Sequence, residues 1–100
     1  MIDDIEKTAL KNLGQRLKTA RLARNDSQKE FAWRIGVSIP TLQNMEQGKP
    51  TVAIGTWIKA LNMLDRLDDL NRLLAPEESL FAQHEQIKQL SGRQRARRKK

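Results

Sequence analysis

The chain has 100 residues and a mass of 11.5 kDa, enough for one small domain that buries roughly 60–65% of its unfolded surface. Charged residues make up 31% and hydrophobic ones 38%, with two Phe, two Trp and no Tyr, which suits a small helical core rather than a large ligand cavity. The absence of cysteine excludes disulfides, thiolate metal sites and a Cys nucleophile, and a single histidine, His84, cannot supply the usual zinc ligand sets. No apolar run approaches the ~18–20 residues of a membrane span. The opening segment MIDDIEKTAL is acidic where a signal peptide would be basic. These features lead us to expect a soluble intracellular chain with no cofactor, and not an enzyme.

In chain order, Ile2, Ile5, Ala9, Leu13, Leu17 and Ala20 recur every three or four residues. They predict one amphipathic helix over about 4–24, or two joined near Gly14. Asn25-Asp26 breaks it. Ser27 opens a second helix with a capping box to Glu30, and Gly36 ends that helix in a tight turn. Ser38 caps a third helix with Pro40 in its first turn, where a missing N–H costs little. Gly48 closes it and Pro50 prevents continuation. A fourth helix is expected over Ile54–Leu64 and a fifth over Leu67–Leu74, stopped at Pro76. Glu77 to Leu90 reads as a further helix. No strand alternation and no repeat is visible.

The net charge of +7 is concentrated at one end. Residues 91–100 hold six bases and no acid, whereas residues 1–90 hold 13 bases against 12 acids. The tail SGRQRARRKK has the composition of a segment disordered in isolation. It serves either as a solubilising end or as an arm against phosphates.

The informative unit is SQKEFAWRIGVSIPTLQNMEQGK, Ser27 to Lys49. At 100° per residue, Phe31, Ala32 and Ile35 share one side of the second helix. On the third, Leu42, Met45 and Glu46 group together. Pro40, Gln43, Asn44 and Gln47 group opposite, with Ile39 at the margin. Amide side chains can bond adenine bidentately in the major groove, and Ile or Pro can pack on a thymine methyl. Two short helices joined by a Gly-containing turn are the helix-turn-helix shape. The alternative is an ordinary polar helix face.

Gln28, Phe31-Ala32, Gly36-Val37-Ser38, Thr41-Leu42 and Glu46-Gln47-Gly48-Lys49 together resemble the Cro/C1-type (XRE) helix-turn-helix regulators, over about Leu13 to Leu64. The stretches RLARNDSQ and PTVAIGTWIKALNML are most similar to HipB-like antitoxins. The resemblance implies a five-helix all-α domain that binds double-stranded operator DNA as a homodimer. It further implies autorepression, a HipA-like kinase toxin as partner and a cytoplasmic, prokaryotic or phage-encoded setting. By matching position it assigns Ile39, Pro40, Gln43 and Asn44 to base edges. It gives Gln28, Gln47, Gly48 and Lys49 to phosphate, and Arg21 with Glu46 to an inward ion pair. Two departures stand out. Ala53 occupies a usual Ser-cap position, so the fourth helix is expected to shift its start, to Thr51. Pro40 cannot donate a side-chain hydrogen bond, so base reading would lean on Gln43 and Asn44.

Among the remaining residues, Trp57 keeps step with Ile54, Ile58 and Leu61 and reads as core or dimer packing. Trp33 projects opposite the apolar stripe of its helix. Together with Lys29 and Arg34 it is either a partner contact or an incidental aromatic. Asp65, Asp68 and Asp69 alternate with leucines and read as a solvated face, and His84 as a solvated histidine. The leucine-rich fourth and fifth helices suggest a dimer interface.

The expected architecture is an all-α, five-helix Cro/C1-like domain. It divides into an N-terminal extension of the first helix (1–10), the helix-turn-helix domain (11–76), an extra C-terminal helix (77–90) and a basic tail (91–100). In that tail Arg93, Arg95, Arg97 and Arg98 are phosphate-binding candidates. The alternatives are a stand-alone phage-type repressor, a restriction–modification controller, or a module that masks a protein partner.

Overall fold

A computed structural model describes residues 1–76. The expected helix over 77–90, His84 and the tail arginines Arg93, Arg95, Arg97 and Arg98 lie outside the described residues. Within them the chain forms five helices and no strand: α1 (Asp4–Ala23), α2 (Gln28–Ile35), α3 (Ile39–Glu46), α4 (Ile54–Met63) and α5 (Asp68–Arg72). The fold is all-α and consistent with the Cro/C1-like arrangement.

The helix ends follow local chemistry. Asp3 caps α1 in a box with Glu6, and Ser27 caps α2 in a box with Glu30. Each box satisfies two backbone donors that the first turn would otherwise orphan. The Ser27 backbone N–H and hydroxyl both donate to Glu30, and these bonds hold its carboxyl below the ordinary glutamate range. Ser38 accepts from the Thr41 N–H at the start of α3.

Two expectations need correcting. The fourth helix does not start at Thr51. Ala53 is its N-cap without any side-chain bond, and Ile54 is the first helical residue. The fifth helix is shorter than Leu67–Leu74: Leu73 is already extended and Leu74 takes a left-handed φ of 60°, so the chain leaves the helix before Pro76. Of the apolar stripe of the first helix, which forms as one helix, Leu17 is buried and Ala20 half-buried. Ile5 is 81% exposed and Leu13 is 37% exposed, because no described element covers the first turns of α1. The helix nevertheless runs unbroken through Gly14.

The core gathers Leu17 from α1, Phe31, Ala32 and Ile35 from α2, Leu42 and Met45 from α3, and Ala60 from α4. Val37, Val52, Trp57, Met63 and Leu64, each partly buried, pack against it. Trp57 is half-buried and its position is core packing.

Two glycines set how α1 meets α3. A Cβ at Gly14 would lie 2.5 Å from the Glu46 carbonyl oxygen and 2.6 Å from that of Met45. One at Gly48, where φ is +74°, would lie 2.6 Å from the Leu10 carbonyl oxygen and 2.7 Å from the Lys11 Cα. Any side chain at either position would meet backbone, so α1 rests directly on the C-terminal end of α3.

Candidate nucleic-acid interface

α3 has two unlike faces. Leu42 and Met45 are fully covered and Glu46 is 9% exposed, whereas Pro40, Gln43, Asn44 and Gln47 are exposed and Ile39 is 37% exposed. The buried face fixes the helix against α1 and α2, so the exposed one is presented on a rigid support.

A polar chain crosses between these faces. Arg21 donates from Nε to Glu46 Oε2 at 2.6 Å and from Nη2 to Oε1 at 3.1 Å, with both side chains 5% exposed. Arg21 Nη1 also donates to the Asp26 carbonyl at 2.9 Å, closing the α1–α2 turn. Gln28 Nε2 donates to Glu46 Oε1 at 3.1 Å, and Gln28 Oε1 accepts from Gln43 Nε2 at 3.4 Å. The sense of the chain follows from its anchor. A carboxylate facing Arg21 only accepts, so the amide of Gln28 must turn its NH2 inward and its oxygen toward Gln43. Gln43 then gives one N–H to Gln28 and keeps its other N–H and its carbonyl for solvent or a ligand. Among the described residues, no buried side-chain nitrogen or oxygen lacks a partner.

The residues matched to phosphate lie around this face. Gln28 is the first residue of α2 and half-buried, while Gln47, Gly48 and Lys49 follow the end of α3. Gln28, Gln43, Gln47, Gly48 and Lys49 border one open cleft. Its other wall is α1, which contributes Lys7, Lys11 and Lys18. Sequence reasoning left these lysines unassigned, although separations of four and seven residues put them on one helix face.

On another part of the surface, Trp33 is 81% exposed and shares a hollow with Ser27, Lys29, Glu30 and Arg34, none of which borders the α1–α3 cleft. Arg34 is not free there: its Nη1 pairs with Asp26 Oδ1 at 3.1 Å. Asp26 is 7% exposed and also faces Arg24 Nε at 3.6 Å. Read in sequence only as a helix breaker, Asp26 ties the α1–α2 turn to α2. Its signal was an acid close in sequence to Arg21, Arg24 and Arg34 and, unlike Glu30, not used in a capping box. Asp68 and Asp69 pair with Arg72, and Asp69 with Arg66, as surface pairs of small energetic weight.

Among the described residues, no group of three or more His, Asp or Glu is placed to hold a metal, and no helix is long and apolar enough to cross a membrane. The arrangement offers instead a rigid polar helix face beside a cationic cleft. That combination can accept a duplex groove and its phosphates.

No curated protein matches the chain. A family model described as a helix-turn-helix domain matches residues 12–74, which spans the five helices except the first two turns of α1. The chain belongs to the helix-turn-helix domain family, as a DNA-binding regulator of the XRE-like type.

Proposed function

We propose that the protein is a sequence-specific transcriptional repressor that binds operator DNA as a homodimer and represses its own operon. The observation that carries this reading is the division of α3, buried through Leu42, Met45 and Glu46 and exposed through Ile39, Pro40, Gln43 and Asn44. Gln43 and Asn44 read base edges, and Ile39 and Pro40 supply apolar contact to thymine methyls. Gln28, at a helix N-terminus, holds phosphate together with the Gln47–Gly48 backbone and Lys49. Arg93, Arg95, Arg97 and Arg98 add phosphate contacts from the tail. Dimerisation is supported by the apolar surface of α4 and the segment after it, where Ile54 is 63% and Leu67 40% exposed and Leu61 is half-buried. Footprinting of the DNA upstream of the protein's own gene tests the reading. The expected result is two protected half-sites related by two-fold symmetry, centred about 34–36 Å apart. Uniform protection would contradict it.

A finer reading makes the repressor a HipB-like antitoxin that restrains a HipA-like kinase. It is supported by Trp33, exposed in a hollow away from the α3 face, with Lys29 and Arg34 beside it. A dimer could then hold DNA and toxin together. Trp33→Ala should weaken the toxin complex by about 2 kcal/mol, as truncation of a binding hot spot does, with operator affinity and melting temperature unchanged. Calorimetric titration with the product of the neighbouring kinase-like gene checks this. Normal binding by the variant would make Trp33 an incidental aromatic.

A further inference from the structure

We propose that the cleft-facing side of α1 is a second DNA-backbone contact, in which Lys7, Lys11 and Lys18 hold phosphates alongside the half-site met by α3. This rests on the DNA-binding reading above and extends it to residues outside the helix-turn-helix match, since Lys7 and Lys11 precede residue 12.

Four observations converge. First, the three lysines lie within about 40° of one another around the helix and line the same cleft as Gln28 and Gln43. Second, the cleft is unbalanced in charge. Lys7, Lys11, Lys18 and Lys49 form no ion pair among the described residues, while the carboxylate at the cleft, Glu46, is already engaged by Arg21 and Gln28.

Third, the lysine row is held in place. The contacts of Gly48 with Leu10 and Lys11, and of Gly14 with Met45 and Glu46, seat α1 on the end of α3 backbone against backbone. The backbone that carries the lysines therefore keeps a fixed relation to α3 and its exposed amides. Fourth, burial does not account for these turns of helix. Between Asp4 and Leu10 only Leu10 is half-buried, and Ile5 is 81% exposed, yet the Asp3–Glu6 capping box closes the helix end. From Lys7 to Lys18 the helix rises about 16 Å, enough to meet several successive phosphates of one strand. Lysine suits this work as a point charge on a flexible stem that needs no fixed bidentate geometry.

The test compares Lys7→Gln/Lys11→Gln with a control pair of equal charge change, Lys59→Gln/Arg72→Gln, both exposed and neither bordering the cleft. Each protein is titrated over a salt series against a duplex of the footprinted upstream DNA and a random duplex of the same length. The first pair should flatten the slope of log K against log salt by about 1.8, since each lost phosphate contact removes about 0.9. It should weaken both duplexes by the same factor, so that their ratio stays at the wild-type value, with an unchanged melting temperature. The control pair should keep the wild-type slope. A wild-type slope in the first pair, or an equal flattening in the control, overturns the proposal while leaving α3 as the reading helix. If the wild-type protein does not distinguish the two duplexes, the DNA-reading assignment fails first.

Discussion

Glu46→Ala is expected to cost about 3–5 kcal/mol of folding stability, because it strips a buried cation of its counter-charge without restoring water to it. The Arg21 and Glu46 side chains are each 5% exposed, and the carboxylate takes three hydrogen bonds, two from Arg21 and one from Gln28. In a domain of this size the loss should lower the melting temperature by at least about 12 °C. Denaturant midpoints measured at unchanged m-value check it. Arg21→Met/Glu46→Leu should recover part of the loss, since a well-packed apolar pair can replace a buried ion pair at little cost. Recovery is incomplete because Arg21 also holds the Asp26 carbonyl and Glu46 also anchors Gln28. Should Glu46→Ala melt with the wild type, the ion pair does not hold α1 to α3.

The elements most legible in the sequence are those whose cause is local. The Ser27–Glu30 box, the left-handed Gly36 and the Ser38 cap need only a few neighbouring residues, and they fall where the spacing puts them. The Asp3–Glu6 box is equally local, carried by Asp-Asp-Ile-Glu at residues 3–6 with the same spacing as the Ser27–Glu30 box. Periodicity also sorted the two faces of α3 correctly, since a helix eight residues long rotates little from its ideal pitch.

What the sequence could not supply is the covering partner. Ile5 and Leu13 share a stripe with Leu17, yet only Leu17 meets the core, because periodicity identifies residues on one face and not the surface opposite them. The same limit hid Asp26, whose cations come from α1, the turn and α2. It also hid the cleft, which exists because two glycines let α1 lie against the end of α3. At Ala53 a family habit misled: without a cap residue the helix still begins at Ile54, with packing from Trp57 and Ala60 in place of a capping bond.

The assignment of Gln43 and Asn44 to base reading is the central claim, and their alanine variants test it most directly. Gln43 is oriented by Gln28, which is itself oriented by Glu46, so its free N–H and carbonyl meet DNA in a fixed attitude. An amide so held can donate to N7 and accept from N6 of adenine at once, a pairing worth about 1–3 kcal/mol of discrimination. Asn44 is exposed beside it on the same face of α3. Affinities of wild type, Gln43→Ala and Asn44→Ala are to be measured at one salt concentration, on the footprinted upstream duplex and on a random duplex of equal length. Each variant is expected to lose about 1–3 kcal/mol on the specific duplex and almost nothing on the random one, so that the ratio of the two affinities collapses. Equal weakening on both duplexes, or no weakening on either, would contradict the account and remove α3 from the reading of sequence.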